Sequence, residues 1–325
     1  VNLDSQQSED AEVTRASPLP SFLVIGAQKA GTTSLNGWLS VQPSLRLPHL
    51  KETHFFSKDE LFAKGLGWYA GQFPRGTGMC GEIDPDYLSS SVAPGRAAQI
   101  YEGEQAPKLV VILRDPLGRA FSQWKMSVRR GLEDAPFGEA LFTSWDRERR
   151  GEERDGGHGY YRRGTYAKCL ARWGHAFPES TPLILTFEQL VGADQREETF
   201  QRICTFIGLT GKPILPDFDA VGNPASKPRS RLLNRVIHRR SAWRSAVGKL
   251  IPSQDLRHRI GVLMERMNTT PDESRGPVMD PIDGLVLKSM ASDISELEAL
   301  AGLNLDSWKD KLVGRDRATE ADPAS

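Results

Sequence analysis

The sequence carries no excess charge of either sign: Lys+Arg and Asp+Glu each number 42 among 325 residues. A formal net charge of zero removes any global reason to expect nucleic acid or an acidic polymer as partner, so a polyanion site has to be local. Cysteine is scarce. Cys80, Cys169 and Cys204 are far apart, odd in number and in no metal-ligand spacing; the simplest reading is reduced thiols in a cytosol-like compartment. No apolar run approaches the ~20 residues of a membrane span. No basic start followed by an apolar core suggests a signal peptide, and the expected location is cytoplasmic. Internal repeats are also absent.

What is present is an alternation of short apolar runs with helical periodicities. Residues 22–25, 108–113 and 182–187 read as buried strands, and helices follow each. This order predicts an α/β fold, a P-loop-like central parallel sheet flanked by helices on both faces, in a single domain over 21–312. Residues 1–20 are polar and acidic and read as a disordered arm, and 313–325 as a disordered tail. Residues 79–91 read as irregular, and 146–159, charged and glycine-rich, as a mobile loop. An amphipathic helix through Leu285, Leu287, Met290, Ile294, Leu297 and Leu300 is expected to pack back on the sheet.

The first strand leads into Gly26-Ala27-Gln28-Lys29-Ala30-Gly31-Thr32-Thr33-Ser34, from which a helix starts. Glycines let backbone N–H groups approach an anion, and a helix N-terminus adds about half a positive charge, so a phosphate belongs here. Gly26, Gly31 and Thr33 fit the P-loop G-x-x-x-x-G-K-[ST], but Thr32 takes the lysine slot and Lys29 lies inside the loop. Asp115 is locked in Arg114-Asp115-Pro116, leaving no convincing magnesium aspartate at a strand end. A nucleotide kinase or NTPase is therefore the rival reading rather than the first.

Gly26-x-x-Lys29-x-Gly31-Thr32-Thr33 after a strand resembles the 5′-phosphosulfate loop of sulfotransferases that use 3′-phosphoadenosine 5′-phosphosulfate (PAPS). The second signature of that family, an arginine at a strand end with a serine eight residues later, reads Arg114 and Ser122. Glu52-Thr53-His54-Phe55-Phe56 and Gly65-Leu66-Gly67-Trp68-Tyr69 resemble segments of heparan sulfate sulfotransferases and their bacterial relatives. The resemblance implies PAPS as sulfuryl donor and no metal. It implies donor contacts from Gly26, Gln28, Lys29, Ala30, Gly31, Thr32, Thr33 and Ser34, with Arg114 and Ser122 on the 3′-phosphate. It also implies Glu52 as general base. His54 maps to a histidine important for activity, as a proton carrier or as structure behind the base.

The departures concern the acceptor. Heparan enzymes carry a lysine after the glutamate of Glu-Lys-x-x-x-Tyr; Glu82 is followed by Ile83, and Tyr87 is kept. Glu82, Asp84 and Tyr87 either line the acceptor pocket or cap turns. The loop with Lys227, Arg229, Ser230 and Arg231 closes over the nucleotide or is one side of a basic helix running to Arg244. That helix is a packed solvated face or a peripheral membrane contact. The acceptor is expected to be a saccharide or another small metabolite, with no nucleic acid involved.

Overall fold

The computed structural model describes residues 19–102, 104–152, 158–219, 226–228, 269–271 and 279–320. Strand β1 (Phe22–Gly26) passes through the loop into helix α1 (Thr32–Ser40) and the short β2 (Leu45–Arg46). Two short helices, α2 (Asp59–Phe62) and α3 (Gly65–Ala70), precede β3 (Met79–Ile83), α4 (Ala93–Ile100) and β4 (Lys108–Leu113). Then come α5 (Pro116–Arg129), α6 (Phe137–Arg149), α7 (Tyr166–Ala176), β5 (Leu183–Thr186), α8 (Phe187–Val191) and α9 (Arg196–Ile207). After a separate antiparallel pair, β6 (Ser226–Pro228) with β7 (Thr269–Pro271), the chain closes with α10 (Gly284–Ala301) and α11 (Asp306–Glu320).

The main sheet has the order β2-β3-β1-β4-β5, and all its pairings are parallel. β1 and β4 lie at its centre, and every residue of β1 and all of β4 after Lys108 is buried. That is why both read as continuous apolar runs rather than alternating ones. With parallel strands, the carboxyl ends of β1, β3 and β4 point the same way, so the segments that follow them meet at one edge. No helix among the described residues is long and apolar enough to cross a membrane.

Five expectations change. Segment 79–91 opens with β3; it looks irregular in sequence because Glu82, a polar residue, is fully buried in it. Residues 146–149 are the last turn of α6, held by Asp146 with Arg149 (3.2 Å) and Arg150, while 153–157 lie outside the described residues. The tail read as disordered from 313 continues α11 to Glu320, anchored by buried Trp308 and Leu312 and by Lys309 between Glu298 and Asp306 (2.8 Å each). At the other end, Pro20 already belongs to the fold, its carbonyl accepting from Tyr101 Oη at 2.6 Å; residues 1–18 lie outside the described residues.

The fifth concerns α10, whose main neighbours are the helices α7 and α11 and whose Leu285 and Leu300 are left exposed. Its Asp293 Oδ2 accepts from the backbone N–H of Tyr166 (2.7 Å) and Ala167 (3.4 Å), capping α7, whose own Thr165 side chain makes no cap bond. Asp293→Ala should therefore cost about 1–2 kcal/mol in chemical denaturation. Burial pushes the Asp293 carboxyl from 3.8 up to about 6. A raised folded-state pKa gives stability that is full below the unfolded value and lost as pH rises through the folded one. Asp293→Asn should accordingly gain on the native protein between pH 3.8 and about 6.

Candidate functional site

The loop between β1 and α1 is shaped by contacts on both sides. Gly31 adopts φ +87°, a conformation strained for any side chain, and a Cβ there would stand 2.8 Å from Leu190 Cδ2, which would have to move. Ala27 N–H donates to Ile112 O (2.6 Å) and Ala30 N–H to Ala27 O (3.1 Å), which tie the loop to β4 and close its turn. Helix α1 has no side-chain cap and no acidic residue in its first turn, leaving its positive end to a ligand. Ala30 and Thr32 are buried, whereas Gln28, Lys29, Thr33 and Ser34 are half-buried.

Lys29 itself has φ +72°. Its carbonyl accepts from Arg114 Nη1 (3.2 Å), and its Nζ reaches Met126 Sδ on α5 (3.9 Å). Burial first, and then the charges of Arg129, Arg130, Arg114 and Lys51, push its ammonium pKa down to about 8. Cations gathered at a partly dry site repel one another, and an anion relieves that cost. In Arg114-Asp115-Pro116 the roles divide. Arg114 lies over the Phe187 ring (4.5 Å) and turns to the loop, while Asp115 caps α5 by accepting from Gly118 N–H (2.6 Å). Ser122 is half-buried on the flank of α5 that carries Met126 one turn on and Arg129 and Arg130 a further turn on.

Glu52 is brought to the loop by its neighbour. Lys51 Nζ lies 2.9 Å from Glu52 Oε1 and 2.9 Å from Thr33 Oγ1, bridging the two. His54 follows in a left-handed conformation, φ +54°. Its Nε2 stands 3.9 Å from Glu52 Oε2 and its Nδ1 3.1 Å from Asp84 Oδ2, the latter an ion-pair contact without hydrogen-bond alignment. Burial on its own would lower the imidazole pKa, but the Asp84 and then the Asp86 carboxylates outweigh it and raise it.

Glu82, Asp84 and Tyr87 are fully buried, so their side chains do not line an acceptor pocket as the first of their two readings required. Phe56 packs edge-on against Tyr87 (5.2 Å), Tyr69 Oη donates to Glu82 Oε2 (2.5 Å), and His54 N–H donates to Asp84 Oδ2 (2.7 Å), so all three are taken up by neighbouring protein groups. Asp86 remains half-buried, paired with Arg163 and with Gln28 Nε2 of the loop (3.3 Å). Burial would raise its pKa, but Arg163 and His54 hold it low.

Lys227 lies in β6, of which only the backbone is described; Arg229, Ser230 and the basic helix to Arg244 lie outside the described residues. Sequence reasoning missed Lys51, Met126, Arg129, Arg130 and Arg163 as members of this neighbourhood. For Met126, Arg129 and Arg130 a signal existed, since they follow Ser122 at offsets of 4, 7 and 8 on one helix. Arg163 had none, because it comes from a distant turn.

A family model described as "Sulfotransferase domain" matches residues 19–217. Heparan sulfate glucosamine 3-O-sulfotransferase 3B1 of Mus musculus is 33% identical over 203 residues, 61% of this chain and 48% of that protein. Heparan sulfate glucosamine 3-O-sulfotransferase 6 of Mus musculus is 28% identical over 256 residues, 69% of this chain and 68% of that protein. The chain thus spans about half the length of the first of these relatives. A solved sulfotransferase from Alicyclobacillus acidocaldarius covers 90% of this chain, with 99% of its own length, at TM-score 0.59 and 24% identity. It is similar in fold.

Proposed function

The chain belongs to the sulfotransferase family, and on that premise we propose that it moves the sulfuryl group of PAPS to a hydroxyl or amine of an acceptor. The observation that carries this reading is the joining of two halves at one sheet edge. Lys29 lies amid the charges of Arg114, Arg129, Arg130 and Lys51, and Lys51 ties Glu52 to Thr33 of the same loop.

The residues fit a donor with two anionic ends. Gly31, Thr32, Thr33 and the N–H groups opening α1 suit a 5′-phosphate, and Arg114 with Ser122 a 3′-phosphate. When bound, the donor supplies an activated sulfuryl group whose leaving group is already a phosphate. Lys29 holds positive charge at the loop, where negative charge develops on the leaving oxygen. Glu52 accepts the proton of the acceptor nucleophile. His54 stands with its Nε2 3.9 Å from Glu52 Oε2, and the Asp84 and Asp86 carboxylates favour its protonated form.

The heparan sulfate enzymes among the relatives favour a saccharide acceptor. Ile83, which is buried, stands where those enzymes present a lysine to a sulfated sugar, so we place the acceptor among less highly charged saccharides or small metabolites. The kinase reading lacks a carrier, since Thr32 occupies the P-loop lysine position.

A thermal-shift comparison tests the donor. 3′-Phosphoadenosine 5′-phosphate should raise Tm more than ATP with magnesium at equal concentration, and the reverse order overturns the assignment. Arg114→Ala should weaken the 3′-phosphorylated nucleotide by about ten- to a hundredfold and adenosine 5′-phosphate hardly at all.

A further inference from the structure

Residues 51–54 belong to no helix or strand, so no backbone ladder holds the segment that carries Glu52. Its N–H groups go elsewhere. Thr53 N–H donates to Glu82 Oε1 (3.3 Å), His54 N–H to Asp84 Oδ2 (2.7 Å), and Phe55 N–H to Thr53 Oγ1 (3.2 Å). Thr53 Oγ1 also donates to Glu82 Oε1 (2.5 Å), while Tyr69 Oη (2.5 Å) and Tyr87 Oη (3.1 Å) donate to the other oxygen, Oε2. The Glu82 carboxylate is thereby fixed on both sides. Beyond His54, the Phe55 side chain is buried and stacks on Tyr69 at 4.3 Å, which anchors the far end of the segment.

We propose that Glu82 and Asp84, two positions apart at the carboxyl end of β3, form a carboxylate clamp that fixes Glu52-Thr53-His54 for proton transfer. They act as positioning residues, through the backbone of the segment, and not as contacts to the acceptor. The role of Glu52 rests on the function proposed above; the clamp itself does not. Two carboxyl groups this close in a dry interior are costly unless hydrogen bonds compensate them. Burial, then the Asp84 charge, push Glu82 up to about 7 against the three hydroxyl donors. The left-handed backbone of His54 is a second cost that its surroundings must offset, and the bond from His54 N–H to Asp84 lies at that residue.

Glu82→Gln and Thr53→Val test the clamp, the second removing the hydroxyl that donates to Glu82 and accepts from Phe55 N–H while leaving the Thr53 N–H bond to Glu82 in place. Hydrogen–deuterium exchange of the peptide spanning 51–57 should accelerate about tenfold or more in either variant, with the 26–35 loop unchanged. The same variants should lose about ten- to a hundredfold in kcat while KM for PAPS and affinity for 3′-phosphoadenosine 5′-phosphate stay within about twofold. Glu82→Asp should recover less than a tenth of the native kcat, since the carboxylate is then about one methylene short. Native exchange in 51–57 overturns the proposal, as does a parallel fall in kcat and nucleotide affinity. Should Glu82→Gln not fold, Thr53→Val decides alone. If the native protein transfers no sulfate, exchange still tests the clamp while the functional reading fails separately.

Discussion

Lys29→Ala is expected to lower kcat/KM for sulfate transfer by about a hundred- to a thousandfold, the loss seen when a preorganised charge at a developing anion is removed. The size follows from the setting of the ammonium. It is held by a left-handed loop residue, supported by Met126 and surrounded by the charges of Arg129, Arg130, Arg114 and Lys51. An ammonium in such a place is already prepared for an anion and needs little rearrangement as charge shifts. The same cause makes the effect pH-dependent. Burial and the neighbouring cations bring Lys29 down to about 8 in the free protein, so its charge is lost as pH rises through that value. Because kcat/KM reports the ionisation of the free enzyme, it should fall on the alkaline side of about pH 8. Lys29→Arg should move that decline to higher pH, since a guanidinium stays charged, at a lower plateau because its planar fork does not reproduce the ammonium. Steady-state rates with radiolabelled PAPS across pH 6 to 10 measure both, on the order of a unit per step. A Lys29→Ala rate within about tenfold of native would remove this lysine from the chemistry.

Glu52→Gln should reduce kcat by about a hundred- to ten-thousandfold, the range for losing a positioned general base. The amide keeps an oxygen for Lys51, so the link from Lys51 to Thr33 survives and the loop stays in place. Affinity for 3′-phosphoadenosine 5′-phosphate, measured by calorimetry, should therefore change less than about twofold. This separation of turnover from nucleotide binding is what distinguishes a base from a residue that merely braces the loop. Near-native turnover would move the base elsewhere. Loss of turnover and binding together would make Glu52 a bracing residue.

These two predictions draw on different amounts of sequence information. Lys29, Gly31 and Thr33 lie within one strand–turn–helix unit, and Arg114 with Ser122 within another, so spacing along the chain already carries their geometry. Parallel pairing of β1 with β4 then sets the two units side by side, which is how Arg114 Nη1 comes to the Lys29 carbonyl. Glu52 and His54 were visible by resemblance, but their support was not. Glu82, Asp84 and Tyr87 look in sequence like any polar residues of a loop beside a proline. Only burial separates a carboxylate that meets a ligand from one that holds a backbone. Arg163 and Asp86 are 77 residues apart, and no local pattern announces that pair.

The sequence by itself determined the parallel α/β sheet, the strand–turn–helix unit that opens it, and the spacing of the arginine and serine on the second such unit. Each of these is a matter of local periodicity, turn chemistry or fixed offset along a helix. Tertiary structure alone decided which polar groups face the site and which lie beneath it. Exposure depends on neighbours that arrive from distant segments: Thr53, Tyr69 and Tyr87 converge on Glu82 only once β3 is covered. The loop after β1 is joined to Glu52 in the same way, because Lys51, its neighbour in the chain, meets Thr33 only after the segment between α1 and α2 returns to that loop.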